Sequence, residues 1–493
     1  MTGGSLRAKS GSSRADTAPA LGAGLVAFLA YLNTLAPTVM SHDAGRFQIA
    51  APLLGTGHPT GYPTFILTGK LFTLIPVGDV AYRVNLMAAV FGGVAVALFY
   101  LVARELGSKA WPAAGAALVL GFSATYWSEA TFAEVYTMNA AFLLGVTYLL
   151  LLWRRRRRSG FLFAAALLYG LSLGNNASMA LLAPLMLVLA LCGRMEEMSR
   201  RRFLGAGALS LLGFSVYLYI PIRGFAGAWH NYGDPVRNWE EVWRLITGAR
   251  FHDQMGRPPL ETLASFGGYL QELSLQAASR PLGLLLAALL LAGGVLGMRS
   301  VLLRDRVVGG YLVLAYTLQL LYALNYRIDD IAVYYIPTYA ILALGLAVAV
   351  SRLAERVPPG MPHAAVVLAP LLFAGLLFAA NYEEVDQSDE YTYRRKAEAL
   401  LAELPPDAVV YGKLPVIPAA YLKNVEGERP DVTLRWLDLD TQRRYMPRDV
   451  ESGRPVYIVA SPRYTQAYIR AAEAYAKPRY GEDLIRMVPR GDG

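Results

Sequence analysis

The sequence predicts an α-helical polytopic membrane protein: a bundle of about eleven transmembrane helices followed by a small C-terminal α/β domain. Three observations carry that reading. Of 493 residues, 55% are hydrophobic and only 17% are charged, whereas a soluble chain is about a quarter charged. The apolar residues fall in long runs, not at helical or alternating spacing. The basic residues cluster after every second run. Together these exclude a disordered chain, a coiled coil and an ordinary soluble two-domain enzyme. The net charge of +9 resides in those clusters, so nucleic acid is not an expected partner. The single Cys192 lies in an apolar run, which excludes an internal disulfide framework and a cysteine metal cluster.

The apolar runs occur near 20–38, 84–103, 111–126, 136–153, 160–173, 177–193, 203–222, 281–298, 308–326, 331–350 and 362–381. A spanning helix needs roughly 20 residues, so 111–126 and 160–173 are short. The window 62–77 is apolar but proline-bounded and reads as an interfacial or re-entrant helix. Basic residues follow alternate runs: Arg104 and Lys109, Arg154–Arg158, Arg194 and Arg200–Arg202, Arg299 to Arg306, Arg352 and Arg356. Arg7, Lys9 and Arg14 precede the first run, while 127–135 and 174–176 have no Lys or Arg. By the positive-inside rule the N-terminus is cytoplasmic. Segments 39–80, 127–135, 223–280, 326–330 and everything after 382 are then outside.

The expected organisation is a disordered cytoplasmic N-terminus over 1–19, a membrane domain over 20–381 and an extracytoplasmic α/β domain over 382–493. In the last, AVVYG (408–412), VTLRW (432–436) and VYIVA (456–460) read as strands. EYTYRRKAEALLAEL and TQAYIRAAEAYA read as helices, the first continuing from the last span. No internal repeat is visible.

The chemistry-bearing residues lie in the outside loops. The first loop places His42 and Asp43 just after the first span, with Arg46 one helical turn on. His58-Pro59-Thr60-Gly61-Tyr62-Pro63 follows, a turn in which two prolines fix φ. The next outside connection brings Glu129 and Glu134 beside Tyr126, Trp127 and Tyr136. Arg223 ends a span after Pro221, and Arg327, Asp329 and Asp330 form the fourth loop. The structural alternatives are plain. Trp and Tyr at helix ends commonly anchor at the lipid interface. Arg223 is placed to snorkel, Glu134 to pair with an arginine, and His58 to serve only the turn. Arg154–Arg158 is topological. Asp43 is harder to dismiss, because a carboxylate at a span's mouth is costly unless used.

Carboxylates and arginines gathered on one face suit sugar transfer from a lipid-linked phosphate. A carboxylate takes the proton of an acceptor hydroxyl. The phosphate leaving group needs cationic neutralisation more than a general acid. A long isoprenoid tail needs an apolar groove between helices. Asp43, Glu134, Asp329 and Asp330 are hard-oxygen candidates for a cation site, but the arginines make a metal unnecessary, and none is expected. No Gly-rich phosphate loop argues for a nucleotide-sugar donor.

SHDAGRFQIAAPLLGTGHPTGYPTF resembles the first-loop signature of the protein O-mannosyltransferase-like membrane family. RVNLMAAV (83–90), YWSEATFAEVYTMNA (126–140), YIPIRG (219–224), NYGDP (231–235), DDIAVYYIP (329–337) and ERPDV (428–432) are similar to its later blocks. The resemblance covers about 25–445, with the first-loop and AEVY blocks its specific parts. It implies a GT-C glycosyltransferase bundle that takes a polyprenyl-phosphate sugar, with mannose the first candidate. The acceptor would be a hydroxyl of an exported protein or envelope glycan on the outer face of the cell membrane. It implies Asp43 as general base of an inverting transfer, and Glu134, Tyr136 and Arg223 as members of matching blocks. Arg46, Arg223 and Arg327 are the candidate phosphate-binding cations. His42, His58, Tyr62, Glu129, Glu134, Tyr136, Asp329 and Asp330 are the candidate supporting residues. Two departures stand out: Arg46 where the family commonly has Glu, and Asn in GLSLGNNASM (170–179) where relatives often have His. A lipid-linked-sugar flippase and a catalytically silent scaffold are the alternatives. A transporter favours charged or broken mid-membrane segments and repeated halves.

Overall fold

The computed structural model describes residues 14–192, 196–230, 236–358, 363–413, 415–437, 439–459, 475–476, 479–480 and 484–489. The bundle begins with α1 (Arg14–Asn33), α2 (His42–Leu53), α3 (Pro63–Phe72), α4 (Val80–Glu105), α5 (Ala110–Gly121), α6 (Ala124–Ser128) and α7 (Tyr136–Arg156). It continues with α8 (Ser159–Leu173), α9 (Ala183–Leu191), α10 (Arg200–Phe214), α11 (Tyr219–Phe225), α12 (Trp239–Ile246) and α13 (Pro259–Ser274). The helices α14 (Arg280–Arg304), α15 (Arg306–Leu324), α16 (Ile336–Ala354) and α17 (His363–Val385) complete it.

Every predicted apolar run falls on helix. Seven helices among the described residues are long and apolar enough to cross a membrane, and three shorter apolar ones accompany them. The chain is a multi-pass membrane protein. In lipid there is little hydrophobic drive between helices, so close packing of small residues takes over. At the α14–α16 crossing, a Cβ on Gly297 would come within 1.8 Å of the Gly345 carbonyl. Any larger residue there would push the two helices apart.

Three expectations need correcting. The N-terminal segment is helical from Arg14, and Asp16 within it accepts from Arg104 Nε at 2.7 Å. That pair fixes α1 to α4 at the basic end. Tyr126 and Trp127 are not interface anchors but fully buried core. The Trp127 indole donates to Thr34 Oγ1 at 2.9 Å. The outside loops, finally, are largely helical, with α2, α12 and α13 lying where the sequence showed no span.

The C-terminal domain contains α18 (Thr392–Glu403), α19 (Val416–Tyr421) and α20 (Leu439–Glu451). Its strands are β1 (Val409–Gly412), β2 (Thr433–Trp436), β3 (Val456–Val459), β4 (Tyr475–Ala476), β5 (Arg479–Tyr480) and β6 (Leu484–Pro489). The strand order is β2-β1-β3-β6-β4, with β5 also on β6. β1 is parallel to both β2 and β3, and β6 is antiparallel to β3. The three predicted strands are therefore β1, β2 and β3. The helix expected over 465–476 lies outside the described residues up to 474, and 475–476 is strand. The first domain helix does not continue α17. The chain breaks between them, where Asp386 Oδ1 accepts from Ser388 N and Glu390 Oε1 from Thr392 N. Side chains that capture nearby amides compete with helix in this way.

The domain rests on the first loop. Val39, Ile49 and Ala81 share a core with Leu400, Ile417 and Tyr421. The Ala81 amide donates to Tyr421 Oη at 2.9 Å. Arg394 grips Glu426 with both terminal nitrogens, at 2.8 and 2.6 Å, and reaches Asp79 at 3.5 Å.

Candidate active site

The site is built on α2. Its residues Ala44 to Ala51, apart from Arg46, are buried, because the bundle covers one flank and the C-terminal domain the other. Gly45 marks the tightest approach: a Cβ there would meet Ile417 of α19 at 2.6 Å. The buried Gln48 fixes the helix in register. It accepts from Met40 N at 2.8 Å and donates to Asn85 Oδ1 at 2.7 Å. Asn85 in turn donates to the Ala36 carbonyl and accepts from Ala133 N. One amide pair thus ties together α2, α4 and the loop that carries Glu129 and Glu134. Sequence reasoning passed over both residues. Their signal was polarity inside apolar stretches, FQIAAPLL and RVNLMAAV.

Asp43 lies in the first turn of α2, where the helix dipole favours a negative charge. Its Oδ1 accepts from Arg46 Nη1 at 2.9 Å, and its Oδ2 lies 3.7 Å from His58 Nε2. The side chain is 44% exposed, so the carboxylate sits in a recess that is walled by protein yet open. Burial raises its proton affinity, but the charges of His58, Arg46 and His42 outweigh it and hold Asp43 below the usual carboxylate range. His58 is pushed down by burial, against the pull of Asp43. Its Nδ1 lies 2.8 Å from the Pro59 carbonyl. That contact assigns one proton to Nδ1; a second proton, on Nε2, makes the ring the cation that faces Asp43. The ring stacks on Phe251 with centroids 5.0 Å apart. His42 and Tyr62 both hold left-handed backbone conformations, at φ 56° and 44°. Such conformations are sparsely populated for bulky residues and cluster at functional sites.

The other carboxylates shift the opposite way. Burial first, then the charges of Glu129, Asp43 and Asp330, push Glu134 well above the usual range. Burial and Asp330 do the same to Glu129, whose Oε2 is buried with no hydrogen-bond partner. Burial and Asp43 raise Asp330. One carboxylate held below its ordinary range therefore sits among three pushed above theirs. Environments that push neighbouring groups apart in this way mark acid and base roles.

The structure gathers Asp43, Arg46, His42, His58, Tyr62, Glu129, Glu134, Tyr136 and Asp330 into one mutually interacting cluster. Two expected phosphate ligands are engaged elsewhere. Arg223 Nε and Nη2 donate to the carbonyls of Leu54 and Leu53, at 2.9 and 3.2 Å, and cap the C-terminus of α2. A helix end leaves carbonyls unsatisfied, and a guanidinium is well suited to meet them. Arg327 is half exposed and turns to Glu261 at 3.7 Å and the Gly256 carbonyl at 3.4 Å. Asp329 is exposed. The cation that sequence reasoning missed is Arg250, whose charge reaches His58. No local signal could have shown it, since it comes from a distant loop. NYGDP lies outside the described residues. Among the described residues no three His, Cys, Asp or Glu side chains converge as a metal site.

The family described as "Protein O-mannosyl-transferase TMEM260 N-terminal domain" matches residues 43–199. That segment contains every clustered carboxylate except Asp330. The mouse protein O-mannosyl-transferase TMEM260 is 27% identical over 441 residues, which cover 84% of this chain and 62% of that protein. A Dictyostelium discoideum protein of the same name is 32% identical over 126 residues, or 24% of this chain and 15% of that one. The chain thus spans about three-fifths of the mouse relative's length. Among solved structures, ArnT from Cupriavidus metallidurans bound to undecaprenyl phosphate superposes with a TM-score of 0.61. The match covers 98% of this chain and 99% of that one at 14% identity. The chain therefore has the fold of ArnT over nearly its whole length, and its residues 43–199 match the TMEM260-type O-mannosyl-transferase N-terminal domain.

Proposed function

We propose that this protein is an inverting membrane glycosyltransferase that moves a sugar, mannose first among candidates, from a polyprenyl phosphate to an acceptor hydroxyl on the outer face. The observation that carries the reading is Asp43 in an open recess, paired with Arg46 at 2.9 Å and held below its ordinary range while the neighbouring carboxylates are pushed above theirs. Asp43 removes the hydroxyl proton as the acceptor oxygen attacks the anomeric carbon. The carbon–oxygen bond to phosphate breaks, and its electron pair leaves with the polyprenyl phosphate. The sugar emerges inverted. Arg46 and Arg250 supply positive charge on the departing side. His58 positions the base, and protonated Glu134 donates a hydrogen bond to the sugar. The basic helix ends lie in the cytoplasm and the Asp43 end outside, following the distribution of basic residues. The relatives' names support a protein acceptor, and the ArnT complex supports a lipid-phosphate donor.

An apolar groove of about 290 Å³ between α7, α8, α9 and α10, lined by Leu150, Tyr169, Met186 and Gly207 among others, suits the prenyl tail. The test is transfer by the purified protein in detergent, from radiolabelled polyprenyl-phosphate mannose, glucose or arabinose, to envelope protein. Label entering the acceptor supports a transferase. Movement of labelled donor between liposome leaflets without any transfer would overturn the reading in favour of a flippase.

A further inference from the structure

On the far side of Arg46 from Asp43 lies a second cavity, of about 220 Å³, between α2 and the C-terminal domain. Its walls include Arg46, Lys423, Trp229, Trp436, Leu434 and Ala420. The Arg46 guanidinium separates the two recesses: it bonds Asp43 at 2.9 Å and lies over the Trp436 ring at 4.5 Å. Anything held in the second cavity is one side chain away from the ionised carboxylate.

One wall is a strand edge. Among the described residues β2 pairs only with β1 and ends the sheet. The Thr433 amide donates to Ala408 and the Leu437 amide to Gly412, each at 2.8 Å. Main-chain groups alternate in a parallel ladder. The N–H and C=O of Leu434 and Trp436 therefore face away from β1, toward the open edge. An open edge recruits another extended chain. Two indoles beside it offer flat, partly polar stacking surfaces. Lys423, whose Nζ donates to the Val432 carbonyl, has further N–H groups for a carboxylate.

We propose that this cavity is the acceptor subsite, and that it takes an extended polypeptide, paired with β2, whose acidic side chain meets Lys423 and whose Ser or Thr hydroxyl is delivered past Arg46 to Asp43. The inference rests on the glycosyltransferase reading above and adds to it the form of the acceptor. A strand-like acceptor accounts for a feature the chemistry alone leaves idle, namely that β2, beside α19, brings its sheet edge to the catalytic end of the bundle.

The probe is an eight-residue, end-blocked peptide of alternating Val and Thr with one Asp, assayed with wild-type protein and labelled donor. Two N-methylated series are compared, with methyl groups on odd or on even residues. Pairing with an edge uses only alternate amides, so one series should lose at least tenfold in kcat/KM and the other should change little. Ala420→Trp, which fills the cavity, should raise the peptide's KM at least tenfold. Because that variant carries a folding risk, the methylation result stands on the wild type alone. Equal losses in both series, or an unchanged KM in a folded Ala420→Trp protein, would overturn the proposal. Release of sugar to water by wild type with no transfer to any peptide also overturns it while leaving the transferase intact. Absence of both reactions overturns the transferase reading beneath it.

Discussion

Replacing Asp43 by Asn changes one oxygen to nitrogen and leaves the side chain's shape. The Arg46 contact at 2.9 Å becomes a neutral hydrogen bond or is lost, since the amide offers one acceptor where the carboxylate offered two. His58 at 3.7 Å loses its charge partner. The side chain is 44% exposed, so its unfolding cost is small. The chemical cost is not: a positioned base contributes about 10²–10⁴ in rate, which is about 3–5 kcal/mol of barrier at 1.36 kcal/mol per decade. Transfer by Asp43→Asn should therefore fall about 10³-fold in kcat, near the middle of that range. The KM for donor should change much less, because the phosphate is met by the arginines. The assay is single-turnover release of labelled polyprenyl phosphate by purified wild type and variant, at matched folded fraction. A variant within tenfold of wild type would refute Asp43 as the base, and with it the argument from the divided carboxylates.

Wild-type activity should persist into mild acid, because Asp43, held below the ordinary carboxylate value, stays ionised until pH falls through that lowered value. It should fall on the alkaline side as Glu134, held above its ordinary value, loses its proton. Glu134→Gln, which keeps a donor at that place, should retain activity at neutral pH and flatten the alkaline limb of kcat/KM, whereas Glu134→Ala should lose about tenfold, one hydrogen bond's worth; an unaltered limb in the Gln variant would rule out the donor role. Arg394→Ala removes the contacts to Thr38 and Asp79 by which the C-terminal domain reaches the first loop, at 3.2 and 3.5 Å. It should cost about 1 kcal/mol of domain docking, seen as faster proteolysis between the bundle and residues 386–391; unchanged cleavage would deny the docking role. Gly207→Trp projects into open space in the apolar groove. It should raise the KM for a long-chain donor by about tenfold, the worth of one or two displaced methylenes, and spare a short-chain donor; equal effects on both would detach the groove from the prenyl tail. Chelation with EDTA should leave the rate unchanged, since Arg46 already neutralises charge beside Asp43; a loss restored by magnesium or manganese would contradict this.

The membrane bundle was legible because lipid imposes a simple demand: every spanning segment must satisfy its own backbone and present apolar side chains. The short runs 111–126 and 160–173 were recognisable for the same reason, and became α5 with α6, and α8. α2 was not. Its sequence, HDAGRFQIAAPL, has Gly45 and Pro52 inside and no clean apolar face. A helix clasped by two domains is buried on opposite sides, so it loses the periodicity that reveals a surface helix. Asp43 was legible because a charge at a span's mouth needs a reason. Arg223 misled because its local setting, a cation at a helix end, says nothing about which end of which other helix it will cap. Trp436 and Arg250 could not have been found, since their contacts join segments remote in sequence.

Arg46 links these observations. The family that the first loop resembles commonly has glutamate where this sequence has arginine. A glutamate would bring a further carboxylate to Asp43, Glu129, Glu134 and Asp330, where burial and mutual repulsion already hold three of the four toward their protonated forms. Asp43 would then be drawn the same way and would need an outside cation to remain a base. With arginine the counter-charge belongs to the protein. It is fixed on one side by Asp43 and on the other by Trp436, a residue of the C-terminal domain. On the proposed reading Asp43 is held down by His58 and by Arg46, and the position of Arg46 depends on how that domain is seated. On that reading, arginine at position 46 keeps a cation of the protein's own beside Asp43 and couples the domain's docking to the proposed chemistry.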